Sequence, residues 1–258
     1  MTKDDRLSFA LAIATEAGAL AQKMRRAPTG LQTWSKGRLD FVTAADLEVE
    51  ALLRRKIAER FPGESVLGEE AGLDFEAKGV WIVDPIDGTT NFSRGMREWA
   101  VSIAYFDGTE ITHGVIHAPD LNMTAWARKG EQTQLNGTPV DLTVGAPNLA
   151  PVVELGVSKK TPLPDYLERI TKLTEAGIEH RRKGAATVAF IGVLAGWVDA
   201  YYEAHLNIWD AAAGVFLTKL AKGRALHLPI RTFLTEPSFV FAENGRITNL
   251  LASLDIKA

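Results

Sequence analysis

The stretch WIVDPIDGTTNF, residues 81–92, sets three apolar residues before two carboxylates that stand three positions apart. A glycine and two threonines follow at once. The short apolar run 80–83 reads as a buried strand that ends at Asp84. Pro85 then reads as a rigid turn that fixes Asp84 and Asp87 in a narrow space. Two like charges there repel, and one would keep its proton unless a cation lay between them. A divalent metal removes that conflict. Only oxygen donors are on offer, since the chain has no cysteine and no histidine at ligand spacing. Such donors select magnesium, calcium or manganese over zinc. Gly88 lets the backbone turn tightly into a short helix, and N–H groups at such a turn make an anion site. Carboxylates for metal beside amides for an anion point to phosphate chemistry.

Outward from this stretch, the period changes. Leu7, Ala10, Leu11, Ala14, Ala17, Leu20, Ala21 and Met24 fall at helical spacing, so residues 5–26 are predicted as a helix, ended by Pro28 and Gly30. Val49, Leu52, Leu53 and Ile57 mark a second helix, closed by Pro62-Gly63. Its start, Thr43-Ala-Ala-Asp46, reads as a capping box. Strands are predicted at 101–106 and 115–117, with a turn at Asn136-Gly137. The first half therefore reads as two helices and then a run of strands. The texture changes in VGAPNLAPVV, residues 144–153. Strand 152–157, helices 164–176 and 186–197, strand 199–203 and a helix near Asp210 then alternate, which suggests a layered α/β unit. The division falls into residues 1–145, an N-terminal α+β half, and residues 146–258, a C-terminal α/β half.

The bulk numbers exclude several classes. The net charge of −3 offers no basic field for nucleic acid or anionic membrane. No apolar run reaches the ~18 residues of a transmembrane helix. The N-terminus carries acidic residues and does not read as a signal peptide. The lack of cysteine fits a cytoplasmic setting.

Other acids sit at element boundaries. Glu69 and Glu70 follow Gly68, and Asp46 and Asp210 begin helices, where each would serve as a cap worth about 1 kcal/mol. Together with DPIDGTTNF, the upstream GEE, the Lys36…Asp46 segment, TAADLEVE, LNGTPV and DAYYEAHLNIWD resemble the inositol monophosphatase family, part of a superfamily of lithium-sensitive, magnesium-dependent phosphatases. The resemblance runs through most of the chain and implies a layered αβαβα phosphatase fold, a homodimer and two or three magnesium ions. Glu69 and Asp84, with the Ile86 carbonyl, would hold the first ion; Asp84, Asp87 and Asp210 would hold the second. Thr89, linked to Asp46, would sit with Glu69 beside the attacking water. Amides of Asp87, Gly88 and Thr89 would receive phosphate oxygens, Glu203 would accept a substrate hydroxyl, and Lys36 would lie near the site. The side chain of Ile86 is expected to matter less than its carbonyl.

The activity implied is hydrolysis of a small polyol monophosphate, inositol-1-phosphate first. Histidinol phosphate or a sugar (bis)phosphate is the alternative substrate, and a regulatory protein that keeps the metal site is the alternative class. His113 and His117 are predicted on a strand, where four positions span ~13 Å, too far to share a metal. The run His180–Lys183 reads as a solvated loop, or as an approach to substrate or a second subunit. Trp81, Trp197, Tyr201 and Tyr202 are predicted in core or interface. KGRALHLPIRTFLTEPSF, residues 222–239, departs from the family, where a glycine-rich turn and strand are more usual.

Overall fold

The computed structural model of the chain describes residues 5–27, 31–37, 40–72, 79–144, 150–158 and 160–247, and Leu250. Helix α1 (Asp5–Arg25) is followed by a hairpin of β1 (Thr33–Gly37) and β2 (Asp40–Thr43), then by α2 (Ala44–Arg60). The hairpin interrupts the expected pair of helices. Next come β3 (Ser65–Gly68), β4 (Val80–Asp87), the five-residue α3 (Thr89–Ser93), β5 (Ala100–Phe106), β6 (Ile111–Ala118), β7 (Met123–Arg128), β8 (Gln134–Leu135) and β9 (Thr138–Pro139). Asn136 and Gly137, at φ 51° and 81°, form the predicted turn between the last two. The second half holds β10 (Val152–Leu155), α4 (Leu163–Glu175), β11 (Glu179–Arg181), α5 (Ala186–Leu194), β12 (Ala200–Leu206) and α6 (Ile208–Leu220). It closes with β13 (Arg224–Leu226), α7 (Ile230–Phe233) and β14 (Ser238–Glu243), which occupy the atypical segment.

Strands β3 to β9 form one sheet in chain order, and the other large sheet runs β11-β10-β12-β14-β13. Alternation along β4 separates the layers. Trp81 and Val83 face α1 and α2, while Val80 and Ile82 face α5 and α6. In the same way Tyr201 packs toward α5 and α6, whereas Ala200 and Tyr202 pack with Leu173 of α4. The order is helices, sheet, helices, sheet, helix, the layered fold that the resemblance implies. The core that contains α5 and α6 takes residues from both halves of the chain. The proposed boundary at residue 145 lies outside the described residues.

Four expectations need correction. β4 does not stop at Asp84. It runs to Asp87, and its pairing with β5 shifts between Asp84 and Asp87, so Pro85 sits at a bulge, where a missing N–H is tolerated. Asp210 is not an N-cap. Asn207 caps α6, and Asp210 is its third helical residue, reaching back to the cap amide. Helix α5 ends at Leu194 rather than at residue 197, and Trp197 beyond it is half exposed, which removes core from its two readings, core or interface. The basic run is solvated but not wholly a loop: β11 takes it up to Arg181, which pairs at the surface with Glu179, and Lys183 beyond pairs with buried Glu154.

Candidate active site

Two parallel strands deliver the first acids. β3 runs parallel to β4 with Gly68 beside Val83, so Glu69 leaves the end of β3 next to Asp84, where β4 begins its bulge. Loops beyond the carboxyl ends of parallel strands are where α/β proteins place ligands. The bulge then turns Asp87 back toward Asp84. Ser102, opposite Asp84 on β5, donates through its hydroxyl to the carbonyl of Trp209 at 3.2 Å, which ties the start of α6 to the same strand end. Among the described residues, Asp84, Asp87 and Asp210 each offer a carboxylate oxygen within 4.8 Å of the other two.

This gathering is electrostatically unfavourable by itself. Burial pushes the Asp84 carboxyl well above the usual range, and the charges of Glu69, Asp210 and Asp87 push it further. Asp210 is raised likewise by burial, then by Asp87 and Glu69. Burial also raises Asp87, against hydrogen bonds from Thr187 that lower it. Asp84 Oδ1 accepts from the Ile86 amide at 3.0 Å, but its Oδ2 is buried with no hydrogen-bond partner. A buried polar oxygen left so costs several kcal/mol unless a cation takes it up or a proton is held between the Asp84 and Asp210 carboxyls. An all-oxygen donor set with an unpartnered buried carboxylate oxygen fits a hard divalent cation.

Thr89 opens α3. Its hydroxyl lies 3.1 Å from Asp46 Oδ1 and 3.2 Å from the Ile86 carbonyl. Asp46 holds its other oxygen on the Thr43 amide and hydroxyl at 2.9 and 2.6 Å, so one side chain caps α2 and faces Thr89. Burial raises its carboxyl despite these bonds. Gly88, at φ 88°, must be glycine twice over, because a Cβ there would also come within 2.9 Å of the Glu98 carbonyl. Ile86 is fully buried, so its side chain matters to the core as well as its carbonyl to the site.

Glu203, on β12 and 8% exposed, accepts from Tyr201 Oη at 2.7 Å. Burial lifts its carboxyl to about 7; Tyr201 lowers it, the charge of Asp87 raises it, and Arg182 lowers it. Arg182 of the basic run thus lies on this side of the site. Lys36 lies on β1, and its side chain falls outside the described residues. His113 and His117 lie on β6 and bond to Thr112 and Thr124, away from the acids. Reading the sequence missed four contributors: Thr187, which binds Asp87; Asn91, which binds the Lys183 carbonyl at 2.8 Å; Glu50, which holds the Glu69 loop; and Tyr201, assigned only to core or interface. Asn91 lies inside the decisive stretch; the others carry no local signal.

Clustered carboxylates beside a glycine-opened helix in a five-layered fold fit a phosphatase. The model of the inositol monophosphatase family matches residues 2–254, and the chain belongs to that family. It is 36% identical over 203 residues to the inositol-1-monophosphatase of Caulobacter vibrioides, covering 76% of this chain and 79% of that one. It is 32% identical over 219 residues to the fructose-1,6-bisphosphatase/inositol-1-monophosphatase of Thermotoga maritima, covering 85% and 83%. The solved structure of extragenic suppressor protein SuhB from Bartonella henselae aligns with a TM-score of 0.87 at 27% identity, over 97% of this chain and 98% of that one. No helix among the described residues is long and apolar enough to cross a membrane.

Proposed function

We propose that this phosphatase hydrolyses a small polyol monophosphate, inositol-1-phosphate first, with magnesium held by Asp84, Asp87 and Asp210 and by Glu69, Asp84 and the Ile86 carbonyl. The observation that carries the reading is Asp84 Oδ2, buried without a partner among like charges. Bound magnesium would neutralise those charges and activate water for attack on phosphorus. The chain supplies position. The Thr89 hydroxyl, with Asp46 behind it, orients the water on the Glu69 side. The turn at Asp87, Gly88 and Thr89 would offer its amides to the phosphate, which would compete with the Asp87 carboxylate for the Gly88 amide. Glu203, steadied by Tyr201, accepts a hydroxyl of the alcohol, which is why a polyol is preferred. No covalent intermediate is needed, and catalysis rests on orientation and preorganised charge.

The site would lie between the two halves of the chain, divided near residue 145. Magnesium as the ion, inhibition by lithium, a homodimer and a cytoplasmic setting belong to the same reading and rest on the family. A sugar bisphosphate is the second substrate to test, because the Thermotoga relative's name joins both activities. The experiment is phosphate release from inositol-1-phosphate, fructose-1,6-bisphosphate and histidinol phosphate, with magnesium, with chelator, and with added lithium. Release from inositol-1-phosphate that needs magnesium supports the reading. Preference for another ester overturns the substrate, and chelator-resistant release overturns the metal.

A further inference from the structure

We propose that Thr187 is a positioning residue for the cation shared by Asp87 and Asp210: its amide and hydroxyl together engage Asp87 Oδ2 and fix the carboxylate that would meet the ion. The inference rests on the metal reading above. Thr187 is fully buried, and its amide and its hydroxyl reach the same oxygen at 2.6 and 2.5 Å. A carboxylate oxygen has about two lone-pair sites, so two donors use its capacity. Asp87 is thereby held, together with the Ala186 and Gly88 amides that also engage its carboxylate, against repulsion from Asp84 and Asp210.

The placement has a helical cause. α5 is preceded by Ala185, whose side chain cannot cap it. The amides of a helix's first turn lack partners within the helix. Asp87, 100 residues earlier, accepts the Thr187 amide and so serves as the missing cap. The approach to α5 is bolted to the phosphate side as well. Asn91 Nδ2 donates to the Lys183 carbonyl at 2.8 Å and to the Glu98 carbonyl at 2.7 Å. Glu154 accepts from the Lys183 amide at 3.0 Å and pairs with its ammonium at 3.2 Å. The Ala185 methyl lies 2.9 Å from where Gly88 would carry a Cβ. The segment 183–187 can therefore hardly move without moving Asp87.

The amide survives any substitution but proline, so the hydroxyl is the separable part. Thr187→Val keeps the shape and deletes it, Thr187→Ala deletes it without risk of overpacking, and Thr187→Ser keeps it. Binding of Mn²⁺ to the full chain is measured from the loss of the free-ion EPR signal. Thermal melts without metal check folding, and turnover is followed against magnesium concentration. Partners of metal ligands typically contribute about 10–100-fold in affinity. Valine and alanine variants should weaken one Mn²⁺ by that factor and raise the magnesium needed for half-maximal turnover in step. The other Mn²⁺ and kcat at saturating magnesium should change little, and serine should restore wild-type behaviour. A folded valine or alanine variant that binds both ions like wild type overturns the inference alone, as does a serine variant as weak as valine. Wild-type protein that binds no Mn²⁺ overturns the metal reading and this inference with it.

Discussion

Glu50→Ala probes how the loop that carries Glu69 is held. Glu50 lies on α2, one turn beyond Asp46, and is 2% exposed. Its carboxylate accepts from the amides of Glu70 and Ala71 at 3.0 and 3.2 Å, and from Arg54 Nε at 2.8 Å. Arg54 extends the cradle to the carbonyls of Val66 at 2.9 Å and Gly72 at 3.1 Å, on either side of the Glu69 turn. Truncation removes three charge-assisted bonds, each worth about 1.5–3 kcal/mol. Arg54 keeps its two carbonyls and part of its solvent contact, which offsets some of this. Breaking a buried pair typically costs about 3–5 kcal/mol, and the lower end, about 3 kcal/mol, is expected here.

The same cradle can be attacked from the strand. A Cβ on Gly68 would lie 2.6 Å from the Glu50 carboxyl carbon and 2.7 Å from both its oxygens. That carboxylate cannot swing aside without dropping its donors, so Gly68→Ala should disrupt the same bonds. The two costs are then shared, and the double variant should lose at least about 1 kcal/mol less than the sum of the singles. Urea unfolding with an unchanged slope measures this directly. Because the loop delivers Glu69, turnover in Glu50→Ala should fall by about 10-fold or more. A Glu50→Ala protein within about 0.5 kcal/mol of wild type, the scatter of an ordinary surface change, would refute the argument, as would strict additivity.

Asp84→Asn should abolish nearly all metal-dependent turnover yet leave the metal-free protein at least as stable, since it relieves repulsion of about 1 kcal/mol or more per close neighbour; near wild-type turnover, or a lower melting temperature without metal, would contradict this. Gly156→Ala would place a Cβ 1.8 Å from Glu203 Oε2 and displace that carboxylate. Steady-state kinetics should show KM raised about 10-fold or more, with kcat less affected, and an unchanged KM would remove Glu203 from substrate binding. His113 is held from 6.5 down to about 4 by burial and by the charges of Arg6 and Arg128, against smaller opposite effects of Asp107 and Glu131. The folded state therefore refuses a proton that the unfolded chain accepts. Its contribution is complete above about pH 6.5 and is lost as pH falls toward 4, by about 1–2 kcal/mol after allowing for its solvent contact. His113→Phe should flatten that limb of the stability–pH curve, and an unchanged slope would place the effect elsewhere.

What could be read in the sequence, and what could not, follows from where each residue's partner lies. Asp84, Asp87, Gly88 and Thr89 fall within six residues, and the chemistry of paired acids before a glycine turn is local. The capping box of Thr43 and Asp46 was legible for the same reason. The bulge at Pro85 was not, because whether a proline ends a strand or bends it depends on the pairing of β5. Asp210 looked like a cap from composition alone, and only Asn207 three residues earlier gives it its true place. Thr187 had no signature at all: its partner is 100 residues away, and a threonine inside an apolar helix reads as filler. The same holds for Glu50, whose amide partners lie 20 and 21 residues on, in the loop after β3. These silent residues share a property. Each satisfies backbone amides or carries a hydroxyl to an acid that faces the presumed ions, so their value lies in restricting motion rather than in touching substrate. Substitutions there should alter metal affinity and stability together, whereas substitutions at the legible acids should separate the two, removing activity while easing repulsion.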